Sequence, residues 1–456
     1  MGKKESNPVR PNETRVLLTD TNRWALAARL AVALAESGCE VGAVCPTPSH
    51  ALTKTRAVSR VFRYSAFRPI DCLGSAIEEF SPNIVVPACD RSVEHLHELY
   101  ARAKARGNEG AATATLIERS LGSPGSHAIV SSRYDLLAVA REEGIRVPNT
   151  SSVNSVEDFN RWRRQEQLPW VIKADGTWGG VGVRVLRSEE GFEQSWSELT
   201  QMSRLTRALK RLAVNRDQFL LSSWWNGLTR KLIIQSYIDG RPANCSAFAW
   251  KGRVLALIGV EVIRSDGATG PASIVRVVEN SEMKLAAMRI ASRLGLSGFF
   301  GLDFMIENGS RAVYLIEMNP RLTPPCHLRL GPGRDLIGAF CAQLKGEPIY
   351  NHPAVTQSSI IAYQSHTPGL VGDSFPDCYH DFPHDDSELA RELLNPFPDR
   401  TILFRLVRYL SRKPATDGVF ENPHGSTTEA PTECIVADTI AGNIATPIEK
   451  VRVRSS

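Results

Sequence analysis

The chain has 456 residues, 42% hydrophobic and 23% charged, an ordinary soluble composition with material for two or three domains. A net charge of +5 on this length is too mild to point to nucleic acid, and no apolar run approaches the roughly 18 residues of a membrane span. The nine cysteines form no Cys-x-x-Cys pair and no regular spacing, which fits reduced cytoplasmic thiols rather than a disulfide framework or a zinc site.

The first residues, to Arg15, are polar and lack the apolar segment of a secretory signal, so 1–14 reads as a flexible N-terminus. Met1-Gly2-Lys3-Lys4-Glu5-Ser6 matches the loose myristoylation pattern, which matters only in a host with the transferase. Strands are expected at Arg15–Asp20 and Val41–Val44, with a helix at 22–36 between them closed by Gly38. A helix at Asp71–Phe80 and a strand at Asn83–Pro87 continue the alternation, so 15–125 reads as a small parallel α/β domain. Its first strand is not followed by Gly-x-Gly-x-x-Gly, which excludes the dinucleotide fingerprint. Asp90 falls just past a strand end, where such a residue caps the next helix or lines a crevice.

Leu121–Ser126 is a turn cluster that marks a boundary. Beyond it come a helix at Tyr134–Glu143 and strands at Trp170–Lys173 and Val181–Leu186. A largely polar helical stretch follows over 189–220, with Arg204, Arg207, Lys210 and Arg211 as a solvated face. Further strands are expected at Leu232–Ile238, Cys245–Trp250 and Val254–Val262, and a helix near Met283–Leu294. The stretch 346–413 reads as a helical and loop extension. Within it, Tyr379–Asp386 is a polar loop without metal-site spacing, and Thr401–Lys413, an apolar helical segment with Arg405, Arg408, Arg412 and Lys413, packs on the body, the alternative being contact with a membrane surface. The Pro-, Thr-, Gly- and Glu-rich stretch that starts at 414 reads as a flexible tail running to 456.

Chemistry concentrates in Leu315-Ile316-Glu317-Met318-Asn319-Pro320-Arg321. In an extended segment residues two apart share a face, so Glu317, Asn319 and Arg321 point to one site. A carboxylate and an amide oxygen are hard ligands for Mg²⁺, and an Arg beside them grips a phosphoryl or carboxylate group. Asn308-Gly309 signals a hairpin that brings Asp303 alongside Glu317, for one or two ions. Lys173 ends a strand and leads into a loop holding Gly176, Thr177, Trp178, Gly179, Gly180 and Gly182. Such a loop presents backbone N–H groups to phosphates, but it is not a Walker A motif. Gln235, Ser236, Tyr237 and Ile238 form a strand suited to reading an adenine edge or simply to the core. Arg264 precedes a small-residue loop, 265–273, able to approach a phosphate or to serve as a long turn.

Together these segments resemble the ATP-grasp superfamily, over about 126–345, and most closely its carbamoyl-phosphate-synthetase large-subunit-like branch. The resemblance rests on Arg133 before a helix, Lys173 ahead of the glycine loop, Gln235–Ile238, then Asp303, Glu317, Asn319 and Arg321 in that order. It implies a pre-ATP-grasp α/β domain at 15–125 and two α+β lobes clasping ATP. The implied activity is ligation: a carboxylate is activated as an acyl phosphate and joined to an amine, with release of ADP and phosphate. It also implies that Arg133, Lys173 and the loop hold ATP phosphates and Gln235–Ile238 the base. Asp303, Glu317 and Asn319 would hold Mg²⁺, or Mn²⁺ in its place, while Arg321 and Arg264 steady the transferring group. The implied partners are a small-molecule carboxylate and amine, with a homodimer as the expected assembly. A carboxylase or other phosphoryl-transfer enzyme and a non-catalytic ATP-binding module are the alternative readings. The chain departs from the family in lacking a Glu just after the hinge, leaving Asp239 to contact ribose, and in its long 189–230 segment.

Overall fold

The computed structural model describes residues 14–394 apart from 23–24, 48–49, 175–181, 202–231, 266–269, 351, 364–374 and 376. Readings at Gly176–Gly180, at the basic patch 204–211, and at everything after 394 lie outside the described residues.

Three sheets organise the chain. The first holds β1 (Thr14–Thr19), β2 (Cys39–Cys45), β3 (Val58–Arg63) and β4 (Ile84–Pro87), all parallel in the order β3-β2-β1-β4. Helices α1 (Leu26–Glu36), α2 (Pro69–Phe80), α3 (Asp90–Ala105) and α4 (Ala111–Leu121) accompany it. Sequence pattern misses β3, an edge strand whose residues are half-buried or exposed and so carry no clear apolar period. The chain runs outward from β1 to β3 and then returns to the other side of β1. The direction therefore reverses between β1 and β4, at whose C-terminal ends a crevice opens in folds of this kind.

The second sheet is antiparallel, in the order β5-β8-β6-β7: β5 (Thr150–Val153), β8 (Leu232–Ser236), β6 (Trp170–Ala174) and β7 (Val183–Leu186). Helices α5 (His127–Ser131) and α6 (Arg133–Glu142) precede it, α7 (Val156–Trp162) follows β5, and α8 (Gly191–Gln201) follows β7. Helix α7 opens on a capping box in which Ser155 and Asp158 satisfy each other's backbone N–H groups. This lobe has its own core, built from Phe159, Trp162, Trp170, Ile172 and Phe192 and completed by Leu232 and Ile234 of β8.

The third sheet has seven strands in the order β13-β12-β9-β10-β11-β14-β15. These are β9 (Gly240–Trp250), β10 (Arg253–Ser265), β11 (Ala272–Val278), β12 (Gly298–Glu307), β13 (Val313–Asn319), β14 (Ile360–Tyr363) and β15 (Tyr379–Asp381). Helices α9 (Ser281–Leu294), α10 (Leu336–Lys345) and α11 (Ser387–Leu394) complete the described strands and α-helices. The last two strands correct the reading of 346–413 as helix and loop. Both are short, and β15 falls within Tyr379–Asp386, whose polar residues hide a strand from any pattern of alternation. Ser236 ends β8, so Tyr237 and Ile238 lie past the strand expected to include them.

One core joins this lobe to the N-terminal domain. Leu30 and Leu34 of α1 and Val41 of β2 share it with Phe248, Phe299, Leu336 and Phe340. The three phenylalanine rings lie 5.3–5.4 Å apart between centroids, a separation at which aromatic pairs attract beyond simple burial. A buried polar junction closes the same seam. Asp381 on β15 accepts from Arg29 Nη2 of α1 at 2.6 Å and lies 3.0 Å from His327 Nε2. Burial opposes its charge, yet His327 and Arg29 together hold its carboxyl down to about 2. Among the described residues, no helix is long and apolar enough to cross a membrane.

Candidate active site

The hairpin of β12 and β13 places two carboxylates side by side. Asp303 stands opposite Glu317 and Gly301 opposite Asn319, with a bulge just after Asp303. The turn between the strands uses the left-handed backbone of Gly309 and Arg311. Leu302 and Phe304 face the opposite way, into a core with Leu315, so alternation sends Asp303 to the other face of the sheet. Burial first, and the Glu317 carboxylate second, push the Asp303 carboxyl up to about 6, against the pull of Asn319, Arg321 and Lys173.

Strand β13 ends where Pro320 removes a backbone donor. The chain then turns back across β12, and Thr323 packs on Gly301, where an added Cβ would lie 2.5 Å from the threonine methyl. Thr323 also hydrogen-bonds Ser246 of β9. Arg321, buried by this turn, donates from Nε to Asp90 Oδ2 at 2.8 Å, from Nη2 to Asn319 Oδ1 at 3.0 Å and from Nη1 to the Leu322 carbonyl at 3.0 Å. Asn319 Nδ2 donates in turn to Asp303 Oδ2 at 2.9 Å. Asp90 is the residue that sequence reasoning undervalued. It is the first residue of α3, after Cys89 at the cap position, and its carboxylate engages Arg321 across the domain seam. Its place past a strand end was the only signal, and that signal fits a helix cap equally well.

The opposing charge comes from the second sheet and from α6. Lys173 on β6 is 6% exposed. Burial pushes its ammonium down to about 8, Arg133 adds repulsion, and Glu317 and Asp303 pull the other way. Arg133 opens α6, whose cap Ser132 accepts from the Asp135 N–H. Its guanidinium donates from Nη1 to the Ala174 carbonyl of β6 at 2.8 Å and from Nη2 to Glu317 Oε1 at 2.7 Å, so one side chain touches both lobes. Gly182 accepts from the Ala174 N–H at 3.0 Å and so ties β6 to the start of β7.

Other expected site residues stand apart from this cluster. Gln235 is buried and donates from Nε2 to Thr150 Oγ1 at 3.0 Å, tying β8 to β5. The N–H groups of Ser236 and Tyr237 bond the carbonyls of Asn149 and Pro169, and Ile238 follows them toward Gly240 of β9. Arg264 is exposed near the end of β10. Asp303 pairs with Asn244 of β9 and Asn244 with Val260 of β10. Arg264 therefore lies two strands over and about 13 Å further along β10.

The donor set suits Mg²⁺ arriving with a nucleotide. Asp303, Glu317 and Asn319 offer hard oxygens. Among the described residues no three His, Cys, Asp or Glu side chains converge into an all-protein cage. Asn244, in register with Asp303, carries a buried Oδ1 without a hydrogen-bond partner among the described residues, a further hard oxygen beside the acids.

Residues 130–325 match the family described as ATP-grasp domain. The chain is 23% identical over 213 residues to a D-alanine–D-alanine ligase of Flavobacterium psychrophilum, covering 43% of this chain and 56% of that one. It is 30% identical over 154 residues to a biotin carboxylase of Haemophilus influenzae, covering 34% and 31%. It thus spans about half or less of the length of these relatives. Among solved structures, the ADP complex of N5-carboxyaminoimidazole ribonucleotide synthetase superposes with a TM-score of 0.54 at 13% identity, covering 76% of this chain and 81% of that one. The biotin carboxylase domain of the Hydrogenobacter thermophilus 2-oxoglutarate carboxylase, with MgADP and bicarbonate, gives 0.52 at 14%, covering 75% and 71%. These two likenesses are of fold. With the sequence match, they show an ATP-grasp domain over residues 130–325 of the chain.

Proposed function

We propose that the protein is an ATP-dependent ligase that activates a small carboxylate as an acyl phosphate and joins it to an amine, releasing ADP and phosphate. The observation that carries this reading is the meeting of Asp303, Glu317 and Asn319 with Arg321 on one side and Lys173 and Arg133 on the other. Phosphoryl transfer needs positioning and charge neutralisation more than covalent help from the protein.

In this reading bound MgATP supplies the phosphoryl group. Lys173 and Arg133 hold its phosphates, and Asp303, Glu317 and Asn319 hold the metal, of one or two ions. Arg321 orients the substrate carboxylate, whose oxygen takes the γ-phosphoryl group as the bond to ADP breaks. The amine nitrogen then attacks the acyl carbon, phosphate leaves, and the surplus proton passes to solvent. The Gly176–Gly182 loop covers the nucleotide and keeps water from the acyl phosphate. Gln235–Ile238 face the base, and Arg264 acts only if its strand end approaches during closure.

We place this reaction in the cytoplasm, in keeping with eight described cysteines joined by no disulfide, and infer a homodimer from the dimeric biotin carboxylase domain among the fold relatives. The test is phosphate release with MgATP over pools of carboxylates and amines, followed by product analysis. A coupled amide alongside ADP supports the ligase. A second reading, favoured by the carboxylase relatives, takes bicarbonate as the carboxylate. Stimulation by bicarbonate with a carboxylated product selects it. Tight MgATP binding without turnover on any pool rejects both in favour of a nucleotide-binding module.

A further inference from the structure

Arg321 follows Asn319 by two residues, on the chain that carries Glu317. A guanidinium grips carboxylates through paired hydrogen bonds. Left to itself, Arg321 is therefore a built-in competitor for the oxygens that a divalent ion needs. Arg133 already takes Glu317 Oε1 at 2.7 Å, which shows how readily a cation settles there.

The fold directs Arg321 away from both carboxylates. Its Nε donates to Asp90 Oδ2 at 2.8 Å, and Asp90 is fixed at the first residue of α3, just beyond β4. Negative charge is favoured at that end of a helix. With Nε so engaged, Nη2 reaches Asn319 Oδ1 at 3.0 Å and sets that amide with its oxygen toward the guanidinium and its nitrogen toward Asp303 Oδ2 at 2.9 Å. The reversed amide would face donor with donor and acceptor with acceptor. A continuous hydrogen-bonded path thus runs from the N-terminal domain through Arg321 and Asn319 to Asp303.

We propose that Asp90 is a positioning residue of the ATP-grasp centre: it holds the Arg321 guanidinium off Asp303 and Glu317, and so keeps those oxygens and the Asn319 amide set for the divalent ion that accompanies the nucleotide. This rests on the assignment of Asp303, Glu317 and Asn319 to the metal.

The test measures ADP affinity of the full chain by calorimetry, in MgCl₂ and in EDTA, and takes the ratio as the metal's contribution. Asp90→Ala lowers that ratio about tenfold, the scale on which outer partners of metal ligands act, and leaves the affinity in EDTA unchanged. Asp90→Glu restores part of the ratio. Asp90→Ala combined with Arg321→Ala also restores part of it, because no guanidinium remains to intrude on the carboxylates although Asn319 loses its donor. A merely structural staple would lower the melting temperature without moving the ratio. Should Asp90→Ala fail to fold, the near-isosteric Asp90→Asn decides. An unchanged ratio in the folded Asp90 variants overturns the proposal, as does a double variant as weak as the single one. If Mg²⁺ does not strengthen ADP binding to the unaltered protein, the metal assignment itself falls, and this inference with it.

Discussion

The lobe built on β5–β8 and the lobe built on β9–β15 meet the same site from different footings. The first closes its own core around Trp170, with the Phe159 and Phe192 rings stacked at 3.5 Å. The second shares its core with the N-terminal domain through Phe340 and α1. Asp303 and Glu317 therefore ride on the larger, jointly packed body. Lys173 rides on an independently packed piece, with Arg133 reaching from α6 to touch both. This division teaches that Lys173 and the acids are separately stabilised, so damage to one need not unfold the other, whereas Leu136 and Leu137 of α6 share a core with β12 and β13.

The largest expected effect breaks the chemistry and spares both cores. Glu317→Gln lowers turnover by about 10³-fold, the upper range for removing one preorganised charge, and leaves the melting temperature nearly unchanged. Retained turnover would remove Glu317 from the metal site. Next come the cores. Phe340→Ala and Trp170→Ala each cost about 3–5 kcal/mol locally. Hydrogen exchange tells them apart: the former loosens α1 together with β9 and β12, the latter only β5–β8. Exchange spreading equally in both variants would contradict the separation of cores. Arg133→Met, which cuts the side chain spanning the lobes, weakens ADP binding about tenfold or more through loss of a charge-assisted contact. It also accelerates exchange at Ala174 without loosening β13.

The pH response has opposite signs for stability and for binding. The folded Lys173 titrates at about 8, below its ordinary 10.5. Between those values the unfolded chain binds more protons, so this residue makes the ligand-free protein more stable as pH rises. Over the same interval Lys173 loses its charge, and with the proposed role of that charge in holding phosphate, ADP affinity falls. Parallel melting and calorimetric series test the pair, and substitution by Met removes both trends. The smallest effect is Ser155→Ala, which takes about 1 kcal/mol from the α7 cap and shows in exchange from that helix alone.

Much of this was legible in the sequence because it rests on local geometry. Alternation along β13 put Glu317 and Asn319 on one face, and the Asn308-Gly309 turn brought Asp303 opposite Glu317. The strand β6 that ends near Lys173 was likewise plain. What was hidden depends on pairings far apart in the chain. Asp90 shows no local sign of Arg321, and Asn244 acquires meaning only from its register with Asp303. Gln235 could not be told from a core residue until Thr150 was found beside it. The exposed β3 and the short β14 and β15 lack an apolar period long enough to read.

The Arg29–Asp381 pair has a meaning in time as well as in space. Its partners are separated by 352 residues. On a ribosome adding roughly 5–20 residues per second, Arg29 emerges about 20 to 70 seconds before the carboxylate that neutralises it. Until then the face of α1 that will meet β15 is an unfinished surface bearing a lone cation. This contact of the nascent N-terminal domain can therefore close only after β15, the last strand among the described residues, has been made.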